Sequence, residues 1–108
     1  MATQINWTPR AQKDLIQIFE YLAQDSPTYA AHFISELVFK VDKQLQIFPL
    51  SGRIIPELEL SPINYLREII FKSYRVVYNP NNLPKSINVI SVQSSRMDIL
   101  GQAESWIL

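Results

Sequence analysis

The chain has 108 residues, 47% hydrophobic and 19% charged, with ten Lys and Arg against ten Asp and Glu and no cysteine. This is the composition of an ordinary globule of one domain, residues 1–108, long enough to bury a core without metal or disulfide staples. Disulfides and thiolate metal sites are excluded, no cofactor is implied, and the lack of cysteine accords with a reducing cytoplasm. No apolar run suggests a signal peptide, and none approaches the ~20 residues that a membrane span needs.

The short alternating segment Gln4–Trp7 predicts a first strand, with Trp7 as a core anchor. Thr8 followed by Pro9 is a cap-then-proline start for a helix whose apolar stripe is Ala11, Leu15, Ile18 and Leu22, widened by Phe19. Ser26 and Pro27 repeat the device. The second helix carries Ala30, Ile34, Leu37, Val41 and Leu45 on one face, flanked by Phe33 and Val38, and ends before Pro49. His32 falls on its surface. The connector is short, so the helices form an antiparallel hairpin.

Residues 49–62 are punctuated by Pro49, Gly52, Pro56 and Pro62 and read as a loop with a short extended piece at Ile54–Ile55. Gly52 and Arg53 read as a turn glycine and a solvated arginine. "LREIIFKSYRVVYN" follows as a β-hairpin, "NPNNLPK" as a turn, and "SINVISVQSS" as the last strand. The tail "RMDILGQAESWIL" is expected to form one or two helical turns, weakened by Gly101. Its apolar end, Ser105–Leu108, either folds back on the core or is covered by a partner. The fold class is α+β: an N-terminal strand, an antiparallel helix hairpin, then a three-stranded antiparallel sheet, in two layers.

If Lys72 and Ser73 form a two-residue turn, Phe71 lies opposite Tyr74; Lys-Ser is not the favoured chemistry for so tight a turn, and a loop of odd length would swap the two faces. Arg67, Ile69, Phe71, Tyr74, Val76 and Tyr78 then share the face that meets the helices, with Arg67 reaching solvent or a helix-end carboxylate. Arg75 falls on the opposite, open face with Glu68 diagonally across. That places it either in an exposed ion pair or at a contact for an anion or carboxylate. From Arg67 to Arg96 there are five basic residues against Glu68 alone, so this half carries a net +4 and would suit an acidic partner.

"INWTPRAQKDLIQIFEYLAQDSP", "FPLSGR", "LREIIFKSYRVVYN" and "INVISVQSSR" together resemble the ParE/RelE superfamily of toxins from type II toxin–antitoxin systems, over about residues 4 to 100. The resemblance implies the same strand–helix–helix–sheet order. It implies a cognate antitoxin as partner and a binding surface bordered by Arg53, Arg67, Arg75 and Arg96. RelE-like members cleave messenger RNA on the ribosome with a basic set and a tyrosine after the last strand. Here Leu66 and Glu68 stand where lysines would fall, and no tyrosine follows Arg96. An RNA-cleaving reading would rest on Arg75, Arg96 and, as base, Glu68. ParE-like members inhibit DNA gyrase by binding, and the chain is more similar to that branch, although Gln93 stands where many relatives have histidine. The alternatives are a ribosome-dependent endoribonuclease and a degenerate, non-toxic interaction domain.

Overall fold

The computed structural model describes residues 3–107. It contains β1 (Gln4–Trp7), α1 (Pro9–Ala23), α2 (Pro27–Ile47), β2 (Arg53–Ile54), a 3-10 turn (Pro56–Leu58), β3 (Arg67–Phe71), β4 (Tyr74–Asn79), β5 (Ser86–Ser94) and α3 (Ile99–Ile107). Both helix starts follow the expected chemistry. Thr8 Oγ1 accepts the Ala11 N–H at 3.2 Å and Ser26 Oγ accepts the Tyr29 N–H at 3.1 Å, with proline filling the first helical position each time.

The sheet has five strands in the order β1-β5-β4-β3-β2. β1 runs parallel to β5, from Gln4 beside Ser86 to Trp7 beside Val89, and the other pairings are antiparallel. The expected α+β class holds. The sequence reading has no pairing for β1 and sets the extended piece one residue late, at Ile54–Ile55 rather than Arg53–Ile54. Such a two-residue strand has no periodicity to read.

The β3–β4 turn is the two-residue one, with Phe71 opposite Tyr74. Lys72 takes φ 53°, the left-handed conformation that a tight hairpin demands at its first turn position. Its ammonium lies 5.2 Å from the Phe33 ring centre and 5.5 Å from that of Phe71, contacts that offset the conformational cost. This fixes the face assignment. Ile69, Phe71, Val76 and Tyr78 join Ala11, Ile18, Phe33, Leu37, Val41 and Leu45 in the main core, with Leu15 and Ile34 half-buried beside them.

The face expected to be open is covered. Ile55, Leu58, Ile63 and Leu66 from the long loop pack with Val77 and with Ile99 and Ala103 of α3 as a second core, and Ile90 and Trp106 lie against it. The second face of the sheet therefore carries a partial third layer. α3 extends over nine residues despite Gly101. Of the terminal Ser105–Leu108 segment, Trp106 packs against this second core, and Leu108 lies outside the described residues. Trp7 is half-buried against the main core, and its indole N–H donates to Asp42 at 2.8 Å.

Tyr78 links the core to the loop after α2. Its buried hydroxyl accepts the Gly52 N–H at 2.9 Å and donates to the Pro49 carbonyl at 3.1 Å. Gly52 lies so close that a Cβ there would sit 2.5 Å from Tyr78 Cε1 and 2.8 Å from the Glu68 carbonyl oxygen. Arg67 donates to the carbonyls of Leu50 and Gly52 at 3.1 and 2.8 Å, so it closes this loop rather than meeting a helix-end carboxylate.

Two substitutions test this packing in chemical denaturation. Leu37→Ala removes a fully buried side chain and should cost about 2–5 kcal/mol. Gly52→Ala should cost about 1–3 kcal/mol through overpacking against Tyr78 and the β3 backbone. A Gly52→Ala protein as stable as the natural one would show that the loop is not seated this closely.

Candidate functional site

The second face of the sheet holds a cluster of four charges. Glu68 on β3 has no exposed side-chain surface, and the Arg75 side chain is 6% exposed. Strand register accounts for the meeting. Arg75 pairs with Ile70, which puts it diagonal to Glu68, while Arg53 on β2 lies directly opposite Glu68. Arg75 Nε donates to Glu68 Oε1 at 2.6 Å and Nη2 to Oε2 at 3.1 Å, and Arg53 Nε donates to the same Oε2 at 2.6 Å. The 3-10 turn supplies the fourth member. Glu57 takes Nη1 and Nη2 of Arg75 at 2.7 and 2.9 Å, a two-pronged contact with its guanidinium.

Two guanidinium groups and two carboxylates leave the cluster neutral. All three nitrogens of Arg75 are engaged, and both Glu68 oxygens accept. The hydrogen bonds from Arg75 hold the Glu57 carboxyl at about 2, well below its ordinary 4.5, against the opposing effect of burial. The same contacts push Arg75 further upward, so it stays charged.

The four arginines singled out in the sequence are thus placed differently. Arg75 forms neither an exposed ion pair nor an open-face contact, the two alternatives its spacing allows. It is buried, because the loop and α3 cover its face, and its removal cannot spare the fold. Arg53 belongs to the cluster but is 56% exposed at its side chain, at the sheet edge. Arg67 serves the Gly52 loop. Arg96 follows β5, exposed, and forms no side-chain hydrogen bond or ion pair with the described residues; it does not join Arg75. Glu68, the base of the RNA-cleaving reading, has both oxygens taken by arginines. His32 is on the α2 surface, 3.4 Å from Glu36.

Glu57, Asp14 and Arg10 escaped the sequence reading. Asp14 on α1 accepts the Val92 N–H at 2.9 Å and the Ser91 hydroxyl at 3.1 Å, where β5 runs on beyond its pairing with β1. Arg10 bonds Asp14 at 3.3 Å, Gln102 at 3.2 Å and Ser105 at 2.9 Å, tying α3 to α1. The Arg10–Asp14 spacing of four is a legible helix pair, but its link to α3 is long-range and leaves no local signal.

Arg75→Ala should destabilise the chain by about 3–5 kcal/mol, because it leaves the Glu68 charge buried beside Arg53 alone. A loss below about 1 kcal/mol would contradict the buried geometry. Glu57 supplies a pH test. Its folded-state pKa is depressed, so its contribution is full above its ordinary 4.5 and fades as pH falls toward about 2. The stability gap between the natural chain and Glu57→Gln should therefore be largest at neutral pH and close near pH 2. A gap constant with pH would refute the pairing.

The fold is shared with solved structures from toxin–antitoxin systems. The first is a chain of the chromosomal ParDE TA system from P. aeruginosa, with TM-score 0.67, 21% identity, 86% of this chain and 96% of that one covered. The second is from the RelBE2 toxin–antitoxin complex of Mycobacterium tuberculosis, at TM-score 0.63 and 15% identity, covering 87% and 92%. The third is a mutant of E. coli toxin RelE in the free state, at TM-score 0.59 and 22% identity, with both chains covered in full. No curated sequence is significantly similar to the chain. The family model described as "ParE toxin of type II toxin-antitoxin system, parDE" matches residues 5–99. With that match spanning the sheet, the helix hairpin and the charge cluster, the chain belongs to the ParE toxin family of type II toxin–antitoxin systems.

Proposed function

We propose that this chain acts as a toxin by binding DNA gyrase, without cleaving RNA, and that a cognate antitoxin neutralises it. The carrying observation is the state of Arg75. Phosphoryl chemistry on RNA needs a cation free to meet the developing charge and a base free to take the 2′-hydroxyl proton. In this chain Arg75 is occupied by Glu57 and Glu68, and Glu68 by Arg75 and Arg53. The cluster supports a protein-binding role over a ribosome-dependent endoribonuclease. Arg53 and Arg96 are the members of the expected basic set with side chains exposed for a partner.

The antitoxin contact is supported by the outer face of α2. Phe39, Lys43 and Ile47 recur at a spacing of four and are exposed, with Lys43 Nζ 5.8 Å from the Phe39 ring centre. Phe48 and Leu50 extend this apolar strip past the helix end, and Ile54 on the edge strand is exposed too. An acidic amphipathic segment that folds on contact suits such a strip, with its apolar side on the rings and a carboxylate on Lys43.

Two assays decide between the activities. The purified chain should inhibit supercoiling by gyrase, and co-purified antitoxin should relieve the inhibition. Messenger RNA mapped on translating ribosomes in induced cells should stay intact. Codon-specific cuts with unimpaired supercoiling would overturn the proposal, and a blank in both assays would favour a non-toxic interaction domain. Arg96→Ala should weaken gyrase inhibition while changing stability by no more than about 0.5 kcal/mol.

A further inference from the structure

One end of the molecule carries a cleft of about 280 Å³ between α1, the end of β5 and the start of α3. β1 stops beside Val89, so the edge of β5 beyond it is met by α1, with Asp14 taking the Val92 N–H. Ile18, Tyr21, Tyr74, Val92 and Met97 form the apolar and aromatic walls of the cleft, and Tyr21 is 67% exposed. The inner charges are spent on each other and on α3, through Arg10 and Asp14. Arg96 stands between the lining residues Ser94 and Met97, exposed and with its side chain unpaired among the described residues. Tyrosine, methionine and arginine are residue types enriched where proteins bind each other. Gln93 takes no part. It pairs with Arg75 in the β4–β5 register, and its carboxamide, buried without a partner among the described residues, belongs to the opposite face of the sheet.

A complementary projection stands elsewhere on the same chain. Leu60, between β2 and β3, is 98% exposed, more than any other large apolar side chain among the described residues. A tight loop holds it out. The Glu59 N–H donates to the Pro56 carbonyl at 3.2 Å, the Ser61 N–H to that of Leu58 at 2.9 Å, and Asn64 Nδ2 to that of Glu59 at 3.4 Å. The tip is thus ordered before any contact, which lowers the cost of binding. Glu59 beside it is exposed and forms no ion pair among the described residues. Tip and cleft answer each other in polarity and charge: an apolar side chain with a carboxylate next to it, and an apolar slot with a cation at its rim. We propose that the cleft of one copy receives the Leu60 tip of a second copy, with Leu60 against Tyr21, Tyr74 and Met97 and Glu59 on Arg96. The two surfaces differ, so the contact is heterologous, and each seated copy still offers one free tip or cleft to the next. A single tip buries little against the ~1,200–2,000 Å² of stable interfaces, so the association is weak. It does not depend on the gyrase reading, although a seated copy would cover Arg96.

Sedimentation of the full chain tests this from about 1 μM to about 1 mM, the span of moderate to weak affinities. Species should grow with concentration past the dimer. Leu60→Ser and Tyr21→Ala change exposed side chains and should leave the fold intact by circular dichroism. Each alone should associate at least tenfold more weakly. Their equimolar mixture should regain the natural affinity as a one-to-one dimer and nothing larger, because one variant supplies the cleft and the other the tip. Glu59→Arg and Arg96→Glu should each weaken association, and the two together in one chain should restore it, a rescue that a general change in packing or solubility would not produce. The proposal is overturned by a natural chain that stays monomeric throughout the range. It is overturned equally by association that survives Leu60→Ser or Tyr21→Ala, or by a mixture of those variants that does not pair.

Discussion

Glu68 is a carboxylate without exposed side-chain surface, and a charge in that position requires cations inside the protein. Arg75 reaches it diagonally across the β3–β4 ladder and Arg53 reaches it from β2. Other features of this half of the molecule are built around that requirement. Arg53 meets Glu68 because Gly52 lets the chain pass within a Cβ's width of Tyr78 and the Glu68 carbonyl. Glu57 meets the outer prongs of Arg75 because Pro56 starts a 3-10 turn there. The motifs "FPLSGR" and "REIIFKSYRVVY" are thus two halves of one interlocked arrangement.

The same arrangement bears on function. An arginine on an open sheet would be free to meet phosphate or a partner's carboxylate. Beneath the loop and α3, Arg75 is neutralised by the chain's own acids. The basic surplus between Arg67 and Arg96 is correspondingly smaller at the surface, where Lys72, Lys85 and Arg96 remain exposed. The exposed apolar residues Phe39 and Ile47 of α2 lie on a different element from the charge cluster.

Much of the architecture was legible because its causes are local. Thr8–Pro9 and Ser26–Pro27 announce helix starts, the stripes from Ala11 to Leu22 and from Ala30 to Leu45 have helical period, and hairpin parity assigns Ile69, Val76 and Tyr78 to the helix side. The cover over the second face was not legible. Ile55, Leu58, Ile63 and Leu66 follow no period among the prolines, and α3 forms around Gly101 through packing on Val77 and the Arg10 tether rather than through propensity. Spacing therefore gave the correct face and neighbour for Arg75, and the wrong exposure. Glu57 was out of reach for the same reason, since only the folded loop brings it to β4. Gln93 was noticed as a departure from the family pattern, but its lack of a partner is a tertiary fact.

The central claim is that Arg75 and Glu68 are held for each other inside the protein. A double-mutant cycle tests it most directly, with Arg75→Met, Glu68→Leu and the double variant compared by chemical denaturation. The account predicts that each single change costs about 3–5 kcal/mol by stranding a buried charge, and that the double variant recovers most of that loss. Small, additive losses would contradict it, and would return Arg75 to an exposed surface role.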